Sequence, residues 1–86
     1  MFYVYVLKSE VDHKLYIGFT KDLKTRLLKH NNGEVRSTAS RRPLILIYYE
    51  ACLRADDALK REKYFKTGFG RRFINNRLSK YFHDIR

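Results

Sequence analysis

The side chains of this chain that are suited to chemistry are few. There is one cysteine, Cys52, and three scattered histidines, His13, His30 and His83, without the spacing of zinc ligands. Phenols, guanidinium groups and carboxylates remain. Arg26 and His30 stand four residues apart, so on a helix they share a face. With Leu23 at zero on a wheel of about 100° per residue, Arg26 falls near about 300°, His30 near about 340° and Leu27 near about 40°. A cation and an imidazole beside an apolar stripe either line a cleft, or are an arginine snorkelling over a sheet and a histidine at a packed edge. On a second wheel with Ala58 at zero, Glu62 falls near about 40°, between Phe65 and Leu59, in the middle of the apolar face. An ionised carboxylate there is costly unless it is paired or bound to a cation. It pairs with Arg26 or another arginine, or it ligates a divalent ion such as Mg²⁺, which favours carboxylate oxygen and water. Tyr3, Tyr5 and Tyr16 complete the set. Strand tyrosines are most often core or cross-strand pairs, and a phenol titrating near pH ~10 needs a metal-bound water or a cationic arginine beside it to act as a base.

The elements that must position these groups follow from pattern. Phe2 to Leu7 is apolar on both alternating sets, as expected of a central strand covered on both faces. Leu15 to Phe19 is a second strand, and the short polar connection makes the two an antiparallel hairpin that brings Tyr5 toward Tyr16. Thr20 or Asp22 caps a helix running to about Asn31, stopped by Gly33. Residues 34–42 are polar and basic and predict a loop; Pro43 then opens a strand over Leu44 to Tyr49. Arg54 to Thr67 is a second helix, with Asp56 and Asp57 in its first turn and Lys63 and Lys66 in its last, and Gly68 ends it. Arg71 to Phe82 carries apolar residues at helical spacing. The expected fold class is α+β: a three-stranded antiparallel sheet flanked by three helices, in the order β-β-α-β-α-α.

Eighty-six residues predict a single domain over residues 1–86, with a thin core built by packing alone, since one cysteine allows no internal disulfide. Nineteen Lys and Arg against nine Asp and Glu give a net charge of +10. A domain this basic attracts polyanions, of which nucleic acid is the usual one. No apolar run reaches a membrane span, and neither a signal peptide nor paired cysteines are present, so the expected location is cytoplasmic and away from membrane. Thr67-Gly68-Phe69-Gly70 lacks the following aromatic of an RNA-recognition motif, and no phosphate-binding glycine loop is present.

Tyr3-Val4-Tyr5, followed by Tyr16-Ile17-Gly18 about ten residues on, resembles the paired motifs of the GIY-YIG nuclease superfamily. Arg26, ten residues after Tyr16 and in a helix, is similar to the family's arginine. His30 corresponds to a histidine of some members, and Glu62 to the metal-binding glutamate. The resemblance spans nearly the whole chain and is strongest to small stand-alone bacterial members. Two positions depart from it: Tyr3 stands where the family name has Gly, and Phe19 where some members carry Lys. Asn75 or Asn76 stands in the region of a late asparagine used by some relatives.

The resemblance implies cleavage of phosphodiesters, usually in DNA, with RNA also open, by one Mg²⁺ or Mn²⁺ held on Glu62. It implies Tyr16 as base or water-orienting group assisted by Tyr5, Arg26 as stabiliser of phosphate charge, and His30 as a group that positions water or moves a proton. Arg36, Arg41, Arg42, Arg71, Arg72 and Arg77 lie outside the core pattern and are the expected phosphate contacts. Three functions compete: a metal-dependent endonuclease, a nucleic-acid-binding module of the same fold without cleavage, and an interaction domain for an acidic protein. The enzyme is favoured because Tyr5, Tyr16, Arg26 and Glu62 occur together. A monomer is the expected state.

Overall fold

The computed structural model describes residues 1–85. Three strands, β1 (Phe2–Ser9), β2 (Leu15–Thr20) and β3 (Leu44–Cys52), form one antiparallel sheet in the order β2-β1-β3. The run that is apolar on both alternating sets is therefore the central strand, and each set meets a different layer. Val4 and Val6 join Ile17 and the helical residues Ala58, Phe65 and Ile74 in the larger core cluster. Tyr5 and Leu7 point the other way, onto Leu44, Leu23 and Leu27. The helices are α1 (Leu23–Asn31), α2 (Ala55–Phe65), α3 (Gly68–Arg77) and α4 (Ser79–Asp84). Helix α1 covers the Tyr5 face, and α2 and α3 cover the opposite one. The fold is α+β with the expected order.

The boundaries differ where side chains decide them. Asp22, of the two candidates, caps α1: its Oδ1 accepts from the Thr25 amide at 3.2 Å and its Oδ2 from the Thr25 hydroxyl at 2.9 Å. Helix α2 stops at Phe65, and Gly68 opens the next helix instead of only ending this one, because the Thr67 hydroxyl accepts from the Gly70 amide at 3.1 Å. Gly70 is required at that corner by close approach: a Cβ there would lie 2.0 Å from the Tyr64 carbonyl oxygen. The last expected helix is two helices. The chain departs from helical geometry at Leu78 (φ −111°, ψ 29°) and restarts at Ser79. Strand β3 runs three residues past Tyr49, and the register shift beyond Val6 makes room for one extra residue on it.

Two polar devices join the layers. Asn31, at the end of α1, accepts from the Leu44 amide at 2.8 Å and donates to the Leu44 carbonyl at 3.0 Å, as a strand neighbour would. Arg61 of α2 forks onto Glu50 of β3 at 2.8 and 3.0 Å, and its guanidinium carbon lies 4.6–4.9 Å from the ring centres of Tyr64, Phe65 and Phe73. No helix among the described residues is long and apolar enough to cross a membrane.

Candidate active site

Tyr5 is fully buried on the central strand, yet its hydroxyl is not wasted. It lies 2.8 Å from His30 Nε2 and accepts from Arg26 Nε at 3.3 Å. Both partners come from α1, one turn apart, so the helix face read from the wheel turns toward the sheet. His30 is itself completely buried. Its other nitrogen, Nδ1, lies 2.7 Å from the Thr38 hydroxyl, which in turn reaches the Val35 carbonyl at 3.4 Å.

Donor and acceptor roles follow from the two ends. Arg26 can only donate, and the Val35 carbonyl can only accept. Thr38 therefore gives its proton to Val35 and accepts from His30 Nδ1–H. That leaves Nε2 as the acceptor for the Tyr5 proton. A single directed chain runs Arg26 to Tyr5 to His30 to Thr38 to Val35, and it requires a neutral imidazole. The electrostatics agree. Burial first, and then the Arg26 charge, push the His30 pKa down to about 4. Burial also raises the Tyr5 pKa, opposed by the hydrogen bond from Arg26 and reinforced by the neighbouring Tyr16 phenol and the Glu62 carboxylate. Tyr5 thus stays protonated, while Arg26 is held more firmly as a cation, chiefly by the Tyr5 bond.

The Tyr5 ring owes its place to Gly18, its partner across the β1–β2 ladder. A Cβ on Gly18 would lie 2.3 Å from the Tyr5 hydroxyl and from its ring carbon. The glycine of the second tyrosine motif is thus the floor on which the first motif's tyrosine rests. Tyr16 is half-buried at the edge of this cluster. Its ring centre lies 5.0 Å from that of His30, edge to face, and 6.4 Å from that of Tyr5. Arg26 lies close enough to Tyr16 for that phenol to contribute to the hold on its proton.

Glu62 stands on α2 between the buried Ala58 and Phe65, with its side chain 19 % exposed. No described arginine pairs with it: Arg26 bonds to Tyr5, and Arg61 to Glu50. Its partner is Lys66, one turn on, at 3.5 Å through Oε2. Among the described residues no three His, Cys, Asp or Glu side chains converge on one point. This donor set cannot cage an ion by itself. It does fit Mg²⁺ or Mn²⁺ held by one carboxylate and completed by water and substrate phosphate, the usual arrangement of Mg²⁺ at phosphoryl sites. Glu62 is the residue that would hold it.

The arginines expected to meet phosphate stand apart from this cluster. Arg36, Arg71, Arg72 and Arg77 are exposed. Arg72 leans over Phe69, 5.6 Å from its ring centre. Arg42 donates from Nε to the Ala39 carbonyl at 2.7 Å. Arg41 is a clip: it binds Asp12 at 2.8 Å and the Lys14 carbonyl at 3.2 Å, fastening the basic loop to the hairpin turn and holding the Asp12 carboxyl down at about 2. Asn75 and Asn76 are exposed on α3. Sequence reasoning missed Thr38. It lies in an irregular segment read only as a polar loop, where no helix or strand period marks an inward position.

Comparison with known proteins gives the family. Residues 1–79 match the family described as the GIY-YIG catalytic domain. Over 66 residues the chain is 44% identical to a UPF0213 protein of Staphylococcus saprophyticus and to one of Staphylococcus epidermidis, covering 76% of this chain and 79% of each relative. It is 42% identical, with the same coverage, to a UPF0213 protein of Staphylococcus aureus. No solved structure matches. Tyr5, Tyr16, Arg26, His30 and Glu62 lie within the matched span, and this chain belongs to the GIY-YIG family.

Proposed function

We propose that this protein is a metal-dependent endonuclease that hydrolyses phosphodiester bonds in DNA, choosing its target by DNA structure and serving repair or recombination. One observation carries the reading. A buried, directed hydrogen-bond chain fixes Arg26 on the Tyr5 hydroxyl, with the Tyr16 ring packed edge to face on His30 at the rim of the same cluster.

The chain's own groups then divide the work. The neutral His30 takes the Tyr5 proton in its hydrogen bond, so the Tyr5 oxygen offers a lone pair to Arg26 Nε and fixes the guanidinium. The remaining guanidinium N–H groups are free to fork onto a phosphate, where they stabilise the charge that builds as water attacks. Tyr16, at the edge of the cluster, accepts a hydrogen bond from the attacking water and orients it. A Mg²⁺ or Mn²⁺ held by Glu62 would supply Lewis-acid polarisation of the phosphate and stabilise the leaving oxygen. His30 acts by positioning Tyr5, since both of its nitrogens are occupied and it is sealed from water.

The test is a panel of labelled nicked, flapped, branched and single-stranded substrates, with DNA and RNA strands, incubated with Mg²⁺ or Mn²⁺. Wild type is expected to cleave at least one, and Glu62→Gln none. The Glu62→Gln fold should be kept, because the lost pair with the exposed Lys66 contributes no more than about 1 kcal/mol. A Glu62→Gln protein that still cleaves would overturn the metal assignment. Salt-sensitive binding without cleavage of any substrate would replace the enzyme by a binding module.

A further inference from the structure

On the sheet face opposite Tyr5, the end of the β1–β2 hairpin and the α3–α4 corner border an open cavity of about 820 Å³. Its volume lies within the ~300–1,000 Å³ of small-molecule sites. Lys8 is its least expected wall. That side chain is only 9 % exposed, and among the described residues its one ion partner is Glu10 at 3.2 Å. An ammonium has three donors, so one carboxylate oxygen leaves a largely desolvated cation with donors to spare. Lys14 and Arg71 line the same cavity and form no ion pair with a described residue, which among the described lining residues sets three cations against one carboxylate, that of Glu10. The other wall is aromatic: Tyr81 and Phe82, on α4, meet edge to face at 5.3 Å. Asn75 sits one turn after Arg71 on α3 and adds an amide with both donor and acceptor.

We infer that this cavity is a binding site for a nucleoside monophosphate unit, either free or as the phosphorylated terminus of a strand. The three cations would take the phosphate, the Tyr81–Phe82 wall would stack on the base, and the Asn75 amide would meet its polar edge. A bare anion would leave the aromatic wall unused, and an apolar ligand would strand the cations. None of these residues belongs to the Tyr5–Arg26–His30 chain. The cavity's occupancy is therefore separable from cleavage, and only the strand-terminus source rests on the nuclease reading.

The experiment is amide-resolved NMR titration of the full chain in the Glu62→Gln background, with dAMP as probe. Saturable shifts are expected at Lys8, Lys14, Arg71, Asn75 and Tyr81, with adenosine and inorganic phosphate each binding at least tenfold more weakly. Lys14→Gln with Arg71→Gln, both at exposed positions, should weaken dAMP at least tenfold. Lys8→Gln should do the same, while Lys8→Arg keeps binding. Displacement of dAMP by a 5′-phosphorylated trinucleotide but not by its 5′-hydroxyl form assigns the strand terminus; displacement by neither assigns the free nucleotide. The inference is overturned if dAMP gives no saturable shifts, if shifts cluster at Tyr16 and Arg26 instead, or if inorganic phosphate or an acidic peptide binds as tightly as dAMP.

Discussion

His30 shows how a residue type that suggests proton transfer is turned to another use. Buried between Tyr5 and Thr38, it has no path to water and stays neutral near pH 7. Its folded-state pKa of about 4 lies below its ordinary 6.5, so between those values the unfolded chain binds more protons. Stability is therefore complete above about pH 6.5 and falls as pH drops toward 4. Urea denaturation across that window should show this slope in wild type and lose it in His30→Gln, which should also cost about 1–3 kcal/mol at pH 7 by disturbing two buried hydrogen bonds. Tyr16 is the contrasting case. Its hydroxyl stands outside the buried chain, so Tyr16→Phe should leave the melting temperature nearly unchanged while cleavage falls by about 10²-fold or more. A drop in stability with retained cleavage would make Tyr16 a structural residue.

At the scale of elements, the site is a joint between one strand pair and one helix. The β1–β2 ladder sets Tyr5 against Gly18, and α1 brings Arg26 and His30 down onto the Tyr5 hydroxyl. The ring is thus held on one side by backbone and at its hydroxyl by two hydrogen bonds. Gly18→Ala should therefore destabilise by about 1–3 kcal/mol through overpacking. It should also lower cleavage, because the ring that fixes Arg26 is displaced. Thermal unfolding and single-turnover cleavage measured on the same variant check both effects; normal values in each would show that the ring has room to move. The link from Asn31 to Leu44 holds the far end of α1 to β3 in the same way, so Asn31→Ala should cost about 1–3 kcal/mol by leaving the Leu44 amide and carbonyl without that partner.

For the whole molecule, charge is the governing quantity. The net charge is +10 on 86 residues, but the arginines do not contribute alike. Arg41 is neutralised by Asp12, and Arg42 is anchored to its own loop. Arg36 and Arg72 are exposed and form no ion pair with a described residue. Replacing Arg36 and Arg72 by Ala should reduce the slope of log K against log salt for DNA binding by about 1–2. The Arg41 and Arg42 double variant should change it less and instead lower the melting temperature. Fluorescence-anisotropy titrations at several salt concentrations separate the two. Equal slopes in both variants would mean that the structural clip does not withhold Arg41 from phosphate.

Much of this was legible in the chain itself. The doubled apolar pattern of Phe2 to Leu7 demanded a strand buried on both faces, and such a strand sits in the middle of a sheet. Helical spacing put Arg26 and His30 on one face and Glu62 among apolar neighbours, because the 3.6-residue period is a local property. What periodicity cannot carry is which partner each polar group finds. The wheel left Glu62 between an arginine and a metal; the tertiary structure gave Arg26 to Tyr5 and Arg61 to Glu50 and left Glu62 with Lys66. The split of the last helix at Leu78 was hidden because the apolar spacing runs through it. Thr38 was invisible because an irregular loop has no period, and its inward position is imposed by the unsatisfied nitrogen of a histidine eight residues away. Local spacing fixes which faces are apolar; long-range packing decides which buried donors and acceptors meet, since each must find a partner wherever the fold brings one within reach.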